Sequence, residues 1–267
     1  MIVDTHMHLY DNKFEDIREE VIAEALQLNI KKMIVVGCDF ESSKKAIELA
    51  NKYDFIYAAI GLHPSEVHKE CDIDLTWIYE LAKYKKIVAI GEIGLDYYWD
   101  KTYVELQKQM FIKQIEIAKK LNLPIIVHSR DSINDTYIIL KENICHGVLH
   151  CYSGSLEMAK EFTKLGYYLG IGGVVTFNNA KEIKRVVSEI DIKYLLTETD
   201  APYLAPVPFR GKVNKSSYIP YIIDKIYEIK SQNTDLDIVN NNLIDRLQIE
   251  NILYENAHKL FKLEETK

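Results

Sequence analysis

The chain has 267 residues, of which 48% are hydrophobic and 27% charged, and its formal net charge is −7. This composition excludes wholesale disorder, and the negative balance excludes an extended electrostatic grip on duplex DNA, which needs many cations against the phosphates. The length suits one α/β barrel of about 250 residues; glycine and proline are scarce (11 and 6), no low-complexity linker intervenes, and residues 1–267 read as a single domain.

In chain order, short apolar runs alternate with amphipathic helical stretches. A first strand, Ile2 to Asp4, runs into Thr5-His6-Met7-His8, and a helical pattern follows from Phe14 to Asn29. The second strand, Lys32 to Val36, precedes a helix from Ser42 to Tyr53. The third, Ile56 to Ile60, runs into Gly61-Leu62-His63-Pro64. The fourth, Ile87 to Gly91, runs into Glu92-Ile93-Gly94-Leu95-Asp96 and is followed by a helix from Tyr103 to Asn122. The fifth, Pro124 to His128, leads to Ser129-Arg130-Asp131. The sixth, Gly147 to His150, leads to Cys151-Tyr152-Ser153-Gly154 and a helix from Leu156 to Leu165. The seventh and eighth are Tyr168 to Ile171 and Tyr194 to Thr197, the last running into Glu198-Thr199-Asp200-Ala201-Pro202. Beyond Pro220 the pattern is helical to Phe261, with a turn expected in the Asn- and Asp-rich stretch from Ser231 to Asn242.

Near-continuous apolar strands separated by helices imply parallel strands covered on both faces. Eight such units predict a (β/α)₈ TIM barrel, and the absence of GxGxxG after the first strand weighs against a Rossmann fold. In a barrel, the carboxyl ends of all strands face one rim. Six of these ends carry metal-competent residues, so the barrel predicts that they converge.

His6 and His8 are two residues apart on a strand, so both rings point the same way and can share one metal. Neutral imidazole binds divalent metals while its other nitrogen is held by an acceptor, and Asp4, on the same face, is a candidate for that acceptor. Glu92 ends an apolar run, where a lone carboxylate would be costly to bury, and is read as a bridge between two cations. With His128, His150 and Asp200 at matching ends, the predicted metal ligands are His6, His8, Glu92, His128, His150 and Asp200. Asp200 doubles as a candidate general base. Glu198 shares its strand phase and is either a ligand, an orienting group or a salt-bridge partner. His63 is a candidate for substrate contact or acid catalysis, or a structural residue at a loop start. Arg130, Arg210 and Lys212 are candidates for pairing with phosphate oxygens. Tyr152 and Tyr203 stand out from the other tyrosines by position, and Tyr152 joins the substrate-binding candidates. His68, His146 and His258 share no rim position and read as ordinary residues.

Cys38, Cys71, Cys145 and Cys151 show no CxxC spacing and read as reduced thiols of a cytoplasmic protein. The amino terminus is not a signal peptide, and no apolar run approaches the roughly 18 residues of a membrane span. A monomer is expected.

Taken in order, DTHMHL (Asp4 to Leu9), GLHP (Gly61 to Pro64), GEIGLDYY (Gly91 to Tyr98), VHSRD (Val127 to Asp131), HCYSG (His150 to Gly154), TETDAPYL (Thr197 to Leu204), RGKVN (Arg210 to Asn214) and ENAHKLF (Glu255 to Phe261) cover nearly the whole chain. Together they resemble the TatD-type metal-dependent deoxyribonucleases of the amidohydrolase-like superfamily. The resemblance implies a two-metal site using magnesium or manganese, sometimes zinc. It matches His6 and His8 to the first metal, Glu92 to the bridge, His128 and His150 to the second metal, and Asp200 to the remaining acid. It also implies 3′-to-5′ exonuclease action on single-stranded DNA ends. Three positions depart from the family pattern. Lys215-Ser216-Ser217 occupies a stretch that often holds proline, Val213 a position where a second basic residue is common, and Tyr152 one where phenylalanine is frequent. None is a proposed ligand.

The same barrel chemistry also suits a small-molecule amidohydrolase or lactonase, or a D-aminoacyl-tRNA deacylase, because fold does not fix substrate. A non-catalytic metal-binding scaffold is the reading from a different class.

Overall fold

The computed structural model describes residues 1–69, 73–99, 101–232, 238–239, 242–243 and 245–264. Its eight apolar runs form the strands β1 (Ile2–Met7), β2 (Ile30–Val36), β3 (Ile56–Ile60), β4 (Ile87–Asp96), β5 (Ile125–Arg130), β6 (Gly147–Leu149), β7 (Tyr168–Ile171) and β8 (Leu195–Thr197). They lie in one sheet in sequence order, each parallel to the next. The helices between them are α1 (Arg18–Gln27), α2 (Phe40–Lys52), α3 (Thr76–Leu81), α4 (Val104–Leu121), α5 (Ile133–Glu142), α6 (Leu156–Lys164) and α7 (Lys181–Glu189); α8 (Ile219–Ser231) and α9 (Arg246–Phe261) follow β8.

The sheet curls until β8 meets β1, but the seam is narrow. One parallel bridge joins Met7 to Ala201, where the His8 amide donates to the Ala201 carbonyl at 2.7 Å and the Asp200 amide to the His6 carbonyl at 2.9 Å. Lower in the seam, side chains replace the backbone ladder. The Thr5 hydroxyl donates to the Thr197 carbonyl at 3.1 Å, and the Thr197 hydroxyl to the Val3 carbonyl at 3.2 Å. The barrel is therefore nearly closed, as the alternation of elements predicts.

Two apolar layers hold it. Residues such as Met33, Ile60, Ile90, Phe111 and Phe162 pack between strands and helices. Val3, Ile34, Val36, Ala59, Val88, Ile126, Val148 and Leu196 form a second cluster with Ala257, Leu260 and Phe261 of α9. The two clusters are the two faces of strands whose successive residues alternate direction.

Local chemistry sets several boundaries. Asp39 and Ser42 form a reciprocal capping box that starts α2, and Asp245 and Gln248 do the same for α9. The helical stretch expected from Phe14 begins instead as a 3₁₀ turn over Asn12–Phe14, because the Asp11 carboxylate accepts from the Lys13 amide, and α1 starts only at Arg18. Strands β1 and β4 run past their expected ends to Met7 and Asp96. The turn expected within Ser231 to Asn242 falls largely on residues 233–237 and 240–241, outside the described residues. The described part of this region forms a short antiparallel pair, β9 (Ile238–Val239) and β10 (Asn242–Leu243). The side chain of His68 and all of Cys71 also lie outside the described residues. Among the described residues, no helix is long and apolar enough to cross a membrane.

Candidate metal centre

Six strand ends deliver their polar residues to one buried cluster at the carboxyl rim. On β1 and just beyond it, His6 and His8 stand with their Nε2 atoms 3.3 Å apart. The His8 Nδ1 lies 2.9 Å from the Val36 carbonyl, which can only accept. Nδ1 therefore carries the hydrogen, and in the neutral ring the Nε2 lone pair faces the cluster. The acceptor that orients His8 is thus a main-chain carbonyl of β2, which corrects the expectation for Asp4. That carboxylate takes the Thr199 hydroxyl at 2.7 Å and the Ser216 hydroxyl at 2.6 Å and touches no imidazole nitrogen. Burial pushes Asp4 up to about 7, despite these hydroxyls and the His6 and Thr199 amides. Its role is to tie β1 to the segments after β8.

Glu92 sits at the centre, and its two oxygens face different partners. Oε2 lies 3.4 Å from His6 Nε2 and 3.9 Å from His8 Nε2. Oε1 lies 2.7 Å from His128 Nδ1, 3.0 Å from His150 Nε2 and 3.5 Å from His63 Nε2. Asp200 completes the first side, with Oδ1 3.4 Å from His8 and 3.8 Å from His6. Burial alone would raise the Glu92 pKa, but the His150, His63 and His6 rings and the hydrogen bond from His128 hold it well below the usual carboxylate range. Asp200 is also lowered, burial being outweighed by the facing His8 ring, which can donate from Nε2 only when protonated, and by the nearby His150 and His6 imidazoles.

His150 is flanked by carboxylates on both nitrogens. Nε2 faces Glu92, and Nδ1 lies 3.4 Å from Glu198 Oε1. Glu198 also accepts the Cys151 amide. Its placement depends on β7: a Cβ on Gly170 would fall 2.3 Å from Glu198 Oε2. Burial disfavours a charged His150, but Glu92 and Glu198 overcome it and hold the ring well above the ordinary histidine value. His128 is likewise raised, burial being outweighed by Asp96 and Glu92.

These observations fit divalent cations. Three groups, His6–His8–Glu92, His6–His150–Glu198 and His63–Glu92–His128, each bring their donor atoms within 4.8 Å of one another. His6 Nδ1 and Glu198 Oε2 are buried without a hydrogen-bond partner, an arrangement that is costly in a site holding only protons. Cation binding would compete with the protonation that the neighbouring carboxylates favour on His128 and His150.

The remaining expected residues divide. His63 is at the cluster. Its Nδ1 accepts the Ser65 amide at 3.1 Å, so the neutral ring presents Nε2–H toward Glu92 and is built to donate. Tyr152 is not brought to the site. Its side chain is buried, and its hydroxyl donates to the Ser155 carbonyl at 2.7 Å, because the residues after β6 turn it toward α6. Arg130 is exposed and stacks on Tyr98, its guanidinium 3.8 Å from the ring centre. Arg210 and Lys212 are exposed on the segment after β8; Arg210 lies 3.7 Å over Phe177. The expected ligand set omits Asp96, whose Oδ2 is 3.0 Å from His128 Nε2 and orients that ring. The signal was the strand period: Glu92, Gly94 and Asp96 alternate along β4, all ten residues of which are buried.

Comparisons with known proteins give the family and the fold. The family model described as TatD related DNase matches residues 3–262. The chain is 44% identical over 266 residues to the metal-dependent hydrolase YabD of Bacillus subtilis, covering 98% of this chain and all of that protein. It is similar to the crystal structure of YjjV, a TatD homologue of Escherichia coli, with a TM-score of 0.89, 30% identity and 98% of each chain covered. The hydrolase TatD family protein of Entamoeba histolytica follows at a TM-score of 0.82 and 26% identity, with 97% of each chain covered.

Proposed function

The chain belongs to the TatD-related DNase family and is a metal-dependent hydrolase, and from that premise we propose that it hydrolyses phosphodiester bonds in single-stranded DNA, removing nucleotides from the 3′ end with two divalent cations. The observation that carries this reading is Glu92, with one oxygen turned to His6 and His8 and the other to His128 and His150. That arrangement suits a carboxylate shared by two cations, the first with Asp200 and the second with the orienting pair Asp96 and Glu198. Magnesium or manganese is the expected pair in function, and zinc also suits imidazole donors.

Bound cations would acidify water and offset the charge that builds on the phosphoryl oxygens. The chain's own groups do the rest. Asp200, held ionised and partly open to solvent, is placed to take a proton from the attacking water. His63 presents its Nε2–H toward the cluster, where it can hydrogen-bond the leaving oxygen. Glu198 and Asp96 hold His150 and His128 at fixed angles. Arg210 and Lys212, exposed after β8, are the cations we assign to phosphate oxygens. The three described cysteines, Cys38, Cys145 and Cys151, are free, which supports a cytoplasmic setting; we read the enzyme as a monomer.

The test is degradation of a 5′-labelled single-stranded oligodeoxynucleotide by metal-stripped protein, with and without added Mg²⁺ or Mn²⁺, beside Glu92→Ala. A ladder shortening from the 3′ end, dependent on metal and absent in the variant, is expected. A folded, metal-loaded protein that leaves DNA intact but opens a lactone or an aminoacyl ester would overturn the nuclease reading.

A further inference from the structure

The rim beside the metal centre carries an aromatic group that the hydrolytic machinery does not use. Tyr98 and Trp99 follow β4, are 52% and 74% exposed, and meet edge to face with ring centres 4.7 Å apart. The Arg130 guanidinium lies 3.8 Å from the Tyr98 ring centre and 5.3 Å from that of Trp99. A single exposed aromatic needs no explanation. Two joined aromatics fixed by a cation are a built feature, and the outer face of Trp99 remains open to solvent.

Its position is tied to the chemistry. The Tyr98 amide donates at 2.9 Å to Asp96 Oδ1, while Asp96 Oδ2 touches His128. The Tyr97 amide donates at 2.9 Å to the carbonyl of Arg130, two residues past His128 on β5. Two residues, Tyr97 and Tyr98, separate Asp96 from Trp99, so the Cα atoms of Asp96 and Trp99 lie at most about 11 Å apart.

Charge argues for the kind of occupant. At −7 the chain cannot rely on many phosphate contacts. Stacking of bases on aromatic rings, assisted by arginine, is the alternative source of grip on single strands and works for every base. On the reading that this protein is a nuclease, we propose that Trp99, braced by Tyr98 and Arg130, is a stacking platform for an unpaired base of the DNA strand near the scissile phosphate. Interior bases of a duplex would be disfavoured, because both of their faces are already stacked on neighbouring bases.

The experiment uses metal-loaded protein and two measurements. Binding is read by anisotropy of a fluorescein-labelled single-stranded oligothymidine whose 3′-terminal phosphorothioate linkages resist hydrolysis. Hydrolysis is read on unmodified oligonucleotides that are intact or carry one abasic site at successive positions from the 3′ end. Trp99→Ala is expected to weaken binding about tenfold, the effect of one lost base stack. Trp99→Phe is expected to restore most of it. Wild type should show a raised KM for the abasic strand at one position, and Trp99→Ala should lose that discrimination. Equal binding by wild type and Trp99→Ala overturns the platform even if both cleave DNA. Weakened binding by Trp99→Ala in a protein that binds but never cleaves DNA keeps the platform and overturns the nuclease reading instead. Trp99 is largely exposed, so neither substitution threatens folding.

Discussion

Gly94 lies between Glu92 and Asp96 on β4, and replacing it with alanine tests whether this strand tolerates any side chain there. Its φ is +142°, a region that residues with a Cβ avoid, and it pairs with His128 across β4 and β5. A Cβ would fall 2.0 Å from the His128 carbonyl oxygen and 3.0 Å from its carbon. Both are backbone atoms of a central strand, so no rotamer change relieves the overlap. Strained backbone costs about 1–3 kcal/mol, and overpacking adds about 1–3 kcal/mol. A combined loss of about 4 kcal/mol lowers the Tm by roughly 8–16 °C at the sensitivity of chains near this size. Gly166 is the control. It also has positive φ, +88°, but a Cβ there meets nothing within 4 Å, so Gly166→Ala carries only the backbone penalty of about 1–2 kcal/mol. Thermal melts of metal-stripped wild type and both variants, followed by circular dichroism, make the comparison. A Gly94→Ala protein that melts no lower than Gly166→Ala would refute the argument that contact with the His128 backbone excludes a side chain.

Gly170→Ala drives a methyl group into Glu198, so hydrolysis should fall more than about tenfold with a stability loss of about 1–3 kcal/mol; near-wild-type kcat would show that the position of Glu198 is unimportant. Adding Mn²⁺ or Zn²⁺ at about 100 times Kd to stripped protein should stabilise it by about 2.7 kcal/mol, and a His6→Ala, His8→Ala double variant should show a smaller Tm rise in the same titration. Asp135 accepts from Lys108 at 2.8 Å and from the Tyr97 hydroxyl at 2.9 Å, which together hold its carboxyl below the usual range. A depressed folded pKa stabilises above the unfolded value of about 3.9 and is lost as pH falls through the folded one. Asp135→Asn should therefore cost under about 1 kcal/mol at neutral pH, since the pair is partly exposed, and the difference between the two denaturation midpoints should shrink in acid. Phe162, fully buried against Tyr137, Tyr152 and Tyr167, should cost about 3–5 kcal/mol as alanine, read as a lower denaturant midpoint at unchanged slope.

Periodicity made the barrel legible. Strands buried on both faces must be apolar throughout, so Ile56 to Ile60 and Tyr168 to Ile171 were readable to the residue. The convergence of the histidines and carboxylates followed from one topological rule, that parallel barrel strands point their carboxyl ends the same way. Strand ends marked by charge were misread. Asp4, His6, Glu92 and Asp96 looked like termini because a charge normally stops a buried run, yet β1 and β4 carry them inside. Their burial is tolerable because partners from distant segments meet them: His128 for Asp96 and Glu92, Thr199 and Ser216 for Asp4. The same distinction separates His150 from Tyr152, two residues apart, one reaching the cluster and the other turned to the Ser155 carbonyl. Residue types and their spacing are written along one strand and determine which chemistry is present and at which rim it gathers. Which carboxylate orients which imidazole, and which side chain turns away, depends on hydrogen bonds between segments far apart in the chain, and only the closed barrel brings those segments within reach of one another.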